Sequence, residues 1–446
     1  MEGGGLARQN TLYIVLAALV IIIVLAGAYF LLAGRGGEMQ EETTPAEATP
    51  TAGEAAPKEE AKVIEINVGL LVDETGPTSD VGKGYARGAE AAFKYFNEKG
   101  IYTKDGVRVK INYIKRDYAY NPTLAEEFYR EFRDRYNVIA VVGWGTADTE
   151  KLSDQVARDK VVYISASYSA KLVVKPYNFF PAPDYSTQAC SGLQWLATEY
   201  GAGKIALAYD HKVAYSRSPI SAIKEAAKAL GMEVVGDFDL PLRATEADAE
   251  RIAREMKAAD PDYVWCGNTI SSCSLLARAM AKVGLDAVLL SNVWGFDERS
   301  PNLVGEEAYG MVAGISPFLY PMFASGVEAY NVIYEAASMA GVPKEEVTLR
   351  FVQGFLNVWL LVKAIEEVTS QDLLERKGEA LKEVLESRTF DFGGITAAPL
   401  RFQEGWHVPY KTVFIVFLAE DGSLQLKGKF TAPEAIDCAK VTIEGG

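Results

Sequence analysis

From Val63 onward, apolar and polar positions follow one repeating order along the chain. The run IEINVGLLV at 64–72 is apolar enough for a buried strand, and apolar residues between Tyr85 and Phe96 then recur at the spacing of a helix face. The same order of apolar run, loop and amphipathic segment returns in two series, before and after Pro183. Each series predicts βαβ units with crossover helices. The pattern therefore predicts an α/β protein with two lobes, each built on a parallel sheet.

A different pattern precedes the folded part. Residues 12–33 carry no charge and are rich in Ile, Val and Leu. As a helix they would extend about 33 Å, which matches the apolar core of a bilayer. We therefore expect a membrane anchor at 1–35. A cleaved signal peptide is the alternative, with small residues at 26–28 as a cleavage site, but the apolar stretch is longer than such peptides usually have.

Residues 36–62 are dominated by Thr, Pro, Ala and Glu, a composition typical of a solvated stalk. The large folded part follows the apolar segment, so we expect it on the extracellular side of the cell membrane, held by a single-pass anchor. An outside compartment permits disulfides, but the four irregularly spaced cysteines do not require them. Buried free thiols are an equally good expectation.

Composition and motifs exclude several classes of function. The 446 residues include 60 acidic and 45 basic side chains, a net charge of -15, which excludes a basic nucleic-acid binder. Two histidines and four cysteines show no zinc-binding spacing, so we expect neither a metal nor a cofactor. GKGYARG at 82–88 lacks the spacing of a dinucleotide fingerprint, and no phosphate-binding or serine-hydrolase motif occurs. With only His211 and His407 as bases, we expect a protein that is not an enzyme.

The loops after the predicted strands are the places to look for a ligand, because open parallel sheets bind ligands at the carboxyl ends of their strands. Thr146 stands where a helix should begin, and the free N–H groups there favour an anion. Ser167 and Ser169 follow the next strand. These donors predict a carboxylate site, with ordinary helix capping as the alternative. Aromatic residues are also frequent in these loops: Tyr118, Tyr120, Trp144, Tyr168, Tyr215 and Trp294.

From about Ile66 to Gly422 the chain resembles the extracellular solute-binding proteins of ABC importers of the branched-chain amino acid type. The resemblance rests on several segments in the family's order. It implies a type I periplasmic-binding fold: two Rossmann-like lobes joined by a three-segment hinge. The segments are VGLLVDETGPTSDVGKGYARGAEAAFKYFNEKG, KRDYAYNPTLAEE, VIAVVGWGTADTE, VVYISASYSA, FFPAPDYSTQA, the AYS of KVAYSRS, ADPDYVWCGN, LARAMAKVG and GMVAGISPF.

The resemblance also implies roles for particular residues. Thr146 occupies the hydroxyl position that holds the ligand carboxylate, and Ser167 and Ser169 match positions that add a backbone group and a hydroxyl. Tyr215 matches the second-lobe tyrosine that closes over the ligand. A neighbouring second-lobe tyrosine position is Asn268 here.

One departure from the family pattern bears on the ligand. Where amino-acid binders place an acid for the ligand ammonium, this chain has Val293 or Trp294, and the nearest carboxylate is Asp297. Asp184 matches an acidic residue beside the first hinge crossing. Because an unpaired buried ammonium is costly, either Asp297 or Asp184 pairs with it or the ligand is not an α-amino acid. Trp144 and Trp294 would suit an apolar or aromatic organic acid.

The resemblance places lobe 1 at 63–183 and 315–408, and lobe 2 at 184–314 and 409–446. All four cysteines then lie in lobe 2, so any disulfide should be internal to that lobe. We expect a membrane-tethered solute-binding protein that closes on an amino acid or related organic acid and delivers it to the membrane subunits of an ABC permease. A ligand-sensing ectodomain that works with a separate signalling partner is the alternative.

Overall fold

A computed structural model of the protein describes residues 63–445. The predicted anchor at 1–35 and the stalk at 36–62 lie outside the described residues. Across 63–445, no helix combines the length and the apolar character that crossing a bilayer requires.

The first sheet of the described chain has six strands in the order β2-β3-β1-β4-β5-β6. Only β2 is antiparallel to its neighbour. The central strands are buried along their carboxyl halves, because helices cover both faces of the sheet. The strands are β1 (Val63–Val72), β2 (Ile101–Tyr102), β3 (Arg108–Asp117), β4 (Ala140–Gly143), β5 (Val162–Ser165) and β6 (Asn178–Phe179).

The second sheet of the described chain has seven strands in the order β15-β14-β11-β10-β9-β7-β8. Five strands are parallel, and two antiparallel strands extend one edge. A short antiparallel pair, β12 and β13, stands apart. The strands are β7 (Lys204–Tyr209), β8 (Glu233–Asp239), β9 (Tyr263–Gly267), β10 (Val288–Ser291), β11 (Val312–Ser316), β12 (Thr389–Phe390), β13 (Leu400–Arg401), β14 (Thr412–Leu418) and β15 (Leu424–Thr431).

Helices connect the strands, so the structure confirms the α/β fold in two lobes with sheets that are mostly parallel. The helices are α1 (Ser79–Lys99), α2 (Pro122–Tyr136), α3 (Thr146–Asp159), α4 (Tyr185–Tyr200), α5 (Ala214–Arg217), α6 (Ile220–Ala229), α7 (Glu246–Ala259), α8 (Ile270–Val283), α9 (Ser300–Val304), α10 (Ala329–Met339), α11 (Leu349–Glu366), α12 (Ser370–Glu375), α13 (Gly378–Ser387) and α14 (Cys438–Gly445).

The chain passes between the two sheets after β6, after β11 and before β14. One side chain joins these three passages. The Tyr410 hydroxyl lies 3.2 Å from the carbonyl oxygen of Pro181 and 3.1 Å from that of Pro317. The boundary expected between 314 and 315 falls inside β11, which belongs to the second sheet.

Glycines in the GKGYARG segment serve helix packing. The segment lies inside α1, which packs against α11. A Cβ atom on Gly88 would stand 1.9 Å from the carbonyl oxygen of Phe351, and one on Gly354 would stand 1.9 Å from that of Tyr85. The two helix backbones approach too closely for a side chain at either position. Helix packing therefore accounts for these glycines, and no bound nucleotide is needed to explain them.

The cysteines are paired, so the alternative of buried free thiols is wrong for this chain. Cys190 bonds to Cys438 and Cys266 bonds to Cys273. The first bond joins α4 to α14, and the second joins the end of β9 to α8. Sequence spacing could not reveal the first pair, because its partners are 248 positions apart.

Replacing both cysteines of one pair by alanine should destabilise the protein by an amount that depends on the pair. In the chain-entropy model, the Cys190–Cys438 bond, with a separation of 248, contributes about 5 kcal/mol, and the Cys266–Cys273 bond, with a separation of 7, about 2 kcal/mol. Urea unfolding of the two double variants measures both losses. Equal losses would show that local packing, rather than restriction of the unfolded chain, sets the stabilisation.

Candidate functional site

Loops from the carboxyl ends of both sheets line one small cavity between the lobes, with a volume of about 20 Å³. Its wall combines hydroxyl groups with aromatic rings, and no lining side chain carries a charge. Helices α1, α3 and α8 begin at this cavity, so the positive ends of their dipoles favour an anion there. At the start of α8, the Ser271 N–H already donates to Asp80 Oδ2, 3.3 Å away. The lining residues are Thr78, Val81, Tyr120, Trp144, Gly145, Thr146, Ala166, Tyr185, Tyr215, Thr269 and Trp294.

Thr146 lies at the first-lobe wall of the cavity. It is the first residue of α3, and Gly145 is the N-cap, so the expectation that Thr146 itself caps the helix is wrong by one position. Ser167 Oγ donates to Thr146 Oγ1 at 2.9 Å. Because the Thr146 oxygen already accepts this bond, its own proton can be donated to a ligand.

Tyr215 lies at the second-lobe wall, on the short helix α5. Its hydroxyl donates to Asn268 Oδ1 at 3.2 Å. The Asn268 amide nitrogen donates to the carbonyl oxygens of Leu240 and Pro241, both at 3.0 Å. Asn268 therefore stands behind Tyr215 and orients it, and is not among the residues that line the cavity.

Thr269 is a residue of the cavity that the sequence pattern alone did not single out. It is the N-cap of α8, it lines the cavity, and it is 1% exposed. Its hydroxyl oxygen has no hydrogen-bond partner among residues 63–445. The signal was present, since a threonine before a helical apolar segment is a typical N-cap. Thr78, the N-cap of α1, was missed in the same way.

Two tryptophans from opposite lobes meet across the cavity. The Trp144 and Trp294 rings stand edge to face, with centroids 4.9 Å apart. Trp144 donates from Nε1 to Thr78 Oγ1 at 2.8 Å, and Trp294 donates from Nε1 to the Tyr185 hydroxyl at 2.9 Å. Tyr168 also stacks on Trp294, with centroids 5.7 Å apart. Both indoles are therefore held by hydrogen bonds and packing.

Asp297 lies outside the cavity, in a buried ion cluster. Its Oδ2 atom is 3.1 Å from Arg350 Nε and 2.6 Å from Arg299 Nη2. Burial alone would raise the pKa of Asp297, but the two guanidinium groups outweigh burial and lower it. Arg350 also lies over the Trp294 ring, 5.2 Å from the centroid. The structure thus does not bring Asp297 to the cavity as the sequence predicted.

Asp184 is also engaged elsewhere. It caps α4, accepting from the backbone N–H groups of Ser186 at 3.0 Å and Thr187 at 3.1 Å. The Thr187 hydroxyl donates to its second oxygen. Burial raises the pKa of Asp184 to about 6 despite these bonds. Its oxygens accept hydrogen bonds from the start of α4, and Asp184 does not line the cavity.

Ser169 likewise turns away from the cavity. Its hydroxyl donates to Glu150 Oε1 at 2.5 Å and accepts from the backbone of Lys171. Of the predicted site residues, the structure brings four to the cavity and bonds Ser167 to one of them. Those four are Trp144, Thr146, Tyr215 and Trp294.

Direct hydrogen bonds join the lobes across the cleft. Asp80, in the first turn of α1, accepts from the Ser271 hydroxyl at 2.7 Å. Arg299 Nη1 donates to the Asp80 carbonyl oxygen at 2.8 Å, and Arg243 Nη2 donates to the Gly76 carbonyl oxygen at 2.6 Å. The two lobes therefore stand in contact in this structure.

Neither histidine lines the cavity. His407 is buried, stacks on Phe179 and bonds to the Asn178 carbonyl oxygen, whereas His211 is exposed. Within 63–445, no three His, Cys, Asp or Glu side chains form a group that could hold a metal ion.

Residues 65–423 match the model of the periplasmic binding protein family, so the chain belongs to this family. A substrate-binding protein of an ABC transporter from Aeropyrum pernix is 75% identical, with a TM-score of 0.85, over 86% of this chain and 100% of that one. The present protein is accordingly the substrate-binding protein of an ABC transporter. No curated protein matches the chain.

Two distant structures share the fold. A branched-chain amino acid ABC transporter protein from Thermus thermophilus with bound valine is 20% identical, with a TM-score of 0.73, over 86% of this chain and 99% of that one. A solute-binding protein from R. palustris in complex with 4-hydroxybenzoate is 18% identical, with a TM-score of 0.69, over 83% of this chain and 98% of that one.

Asp148, in the first turn of α3, should make the protein less stable as pH rises. Burial raises its pKa from 3.8 to about 7, with a bond from the Tyr118 hydroxyl opposing the rise. Between these values the native carboxyl keeps a proton that the unfolded chain releases, so the free energy of unfolding falls with rising pH until about pH 7.

Asp148→Asn keeps the acceptor for Tyr118 and removes the titrating group. We expect the difference in free energy of unfolding between Asp148→Asn and the parent to grow between pH 4 and 7, by up to about 4 kcal/mol, in favour of the variant. Urea unfolding at several pH values measures this, with the exposed Asp286→Asn as control. Parallel pH profiles for parent and Asp148→Asn would contradict the assignment.

Proposed function

We propose that this substrate-binding protein binds a small carboxylate-bearing ligand in the cavity between its lobes and delivers it to the membrane subunits of an ABC permease. The observation that carries the proposal is the convergence of three helix N-termini and free hydroxyl groups on a cavity without charged side chains. Such a cavity can stabilise an anion through fixed dipoles and hydrogen bonds alone.

Thr146 is the first anchor for the carboxylate. Its hydroxyl proton can be donated to the ligand, because Ser167 already donates to its oxygen. In an open state the ligand would contact only the first lobe. Closure adds Tyr215 and Thr269 from the second lobe, and this gain in contacts shifts the population toward the closed state. Tyr410, which joins the three passages between the sheets, marks the hinge about which the lobes move.

The folded part is held at the outer face of the cell membrane in this proposal. The uncharged segment at 12–33 supplies the anchor, and the polar stretch at 36–62 supplies the stalk. A tether of this kind keeps the closed protein close to its permease. The lobes follow the proposed limits, 63–183 with 315–408 and 184–314 with 409–446, with the end of β11 shared at the second passage.

Thr146→Val removes one hydroxyl and keeps the side-chain shape. We expect it to weaken ligand binding by about 1–3 kcal/mol, because a charged oxygen loses a buried donor. The measurement is calorimetry with the compound that mass spectrometry identifies in natively purified protein. Thr123→Val, at an exposed position near the start of α2, is the matched control and should bind like the parent. Equal affinities for Thr146→Val and the parent would show that the carboxylate binds elsewhere.

A further inference from the structure

Each of the carboxylates near the cavity has at least one partner within the protein. Asp73 accepts from the backbone and hydroxyl of Thr78. Asp80 accepts from Ser271 through Oδ2, and its Oδ1 atom is buried without a partner among residues 63–445. Glu150 accepts from Ser169. Asp184 caps a helix and Asp297 pairs with two arginines, as described above. No acidic side chain is among the residues that line the cavity.

Asp148 has one oxygen without a partner among the described residues. That oxygen is fully buried, and Asp148 does not line the cavity. Tyr118 Oη bonds to its other oxygen, 2.9 Å away, and also accepts from the backbone of Gly145. The carboxyl group thus lies behind the cavity wall, where a ligand cannot replace its contacts.

Both lobes contribute groups that favour negative charge. The first lobe supplies the starts of α1 and α3, with Thr78 and Thr146. The second lobe supplies the start of α8, where Thr269 is buried and its hydroxyl oxygen has no partner in the part of the chain that the structure describes. A positive group placed here would face three positive helix ends and would meet no acidic side chain on the cavity wall, whereas a carboxylate would find donors on both sides.

From this charge pattern we infer that the ligand is a monocarboxylate with an apolar or aromatic body and no ammonium group, and that Thr269 is its hydrogen-bond partner in the second lobe. The inference rests on the proposed function and narrows its ligand class. The tryptophan pair and the three tyrosines of the wall supply the apolar contact for the body of such a ligand. An α-amino acid of the same shape is disfavoured, because its ammonium would be desolvated against a wall that carries no acidic side chain.

Matched pairs of acids that differ only in the amino group test the ligand class. The pairs are 3-methylbutanoate with valine, 3-phenylpropanoate with phenylalanine, and 4-hydroxyphenylacetate with 4-hydroxyphenylglycine. Calorimetry uses the full-length protein purified in detergent. We expect the acid without the amino group to bind about ten-fold or more tightly than its partner in every pair that binds. Tighter binding of the amino acids would overturn this inference and leave the proposed function intact. Absence of binding in all pairs would overturn both.

Two variants at Thr269 test the second-lobe contact. Asp and Asn are both good N-cap residues and have nearly the same shape, so α8 should be preserved in each. Thr269→Asp places a negative charge at the cavity, and Thr269→Asn does not. We expect Thr269→Asp to bind the acids without an amino group about ten-fold or more weakly than Thr269→Asn does, and to bind the amino acids more tightly.

Thermal unfolding confirms that both variants are folded before affinities are compared. If Thr269→Asp and Thr269→Asn bind both classes of acid alike, Thr269 does not face the ligand, and this part of the inference is wrong. If Thr269→Asp fails to fold, Thr269→Val replaces it as the variant without a donor. It should then bind the acids without an amino group more weakly than the parent, and equal affinity would overturn the contact.

Discussion

The buried ion pair between Asp297 and Arg350 is the constraint on which the chemistry of the cleft depends. Removing a carboxylate from water is costly unless strong partners surround it, and here two guanidinium groups do so. The same arginine lies over the ring of Trp294 and donates to the carbonyl oxygens of Val293 and Phe296. The pair thus holds the second-lobe loop in place and keeps its negative charge out of the cavity.

The absence of charged side chains from the cavity wall follows from this arrangement. With no acidic side chain among its lining residues, the wall is left with hydroxyls, aromatic rings and the ends of three helices. Fixed dipoles of this kind stabilise a negative charge without adding a mobile positive side chain. The two tryptophans that meet across the gap belong to different lobes, so the shape of the cavity depends on how the lobes stand. The relative position of the lobes therefore determines both the shape of the cavity that selects the ligand and the closure of the cleft.

Much of the fold could be predicted from the sequence, because buried parallel strands and amphipathic helices leave strong periodic patterns. The predicted strand at 64–72 is β1, extended by one residue at its start. Thr146, Tyr215 and the two tryptophans could also be placed near one another, since the carboxyl ends of parallel strands share an edge. Thr269 could have been found by its N-cap position, but not as an unpartnered buried hydroxyl. That property depends on neighbours far away in the chain.

The sequence by itself determined which segments become strands and helices, and which loops meet at the cavity, because hydrophobic period and helix-start residues act locally. Only the tertiary structure decided the partners of the charged and sulfur-bearing side chains. Asp297 meets an arginine 53 positions away, and Cys190 meets a cysteine 248 positions away. Such pairings arise when packed elements bring distant residues within a few ångströms, and no local pattern in the chain records that approach.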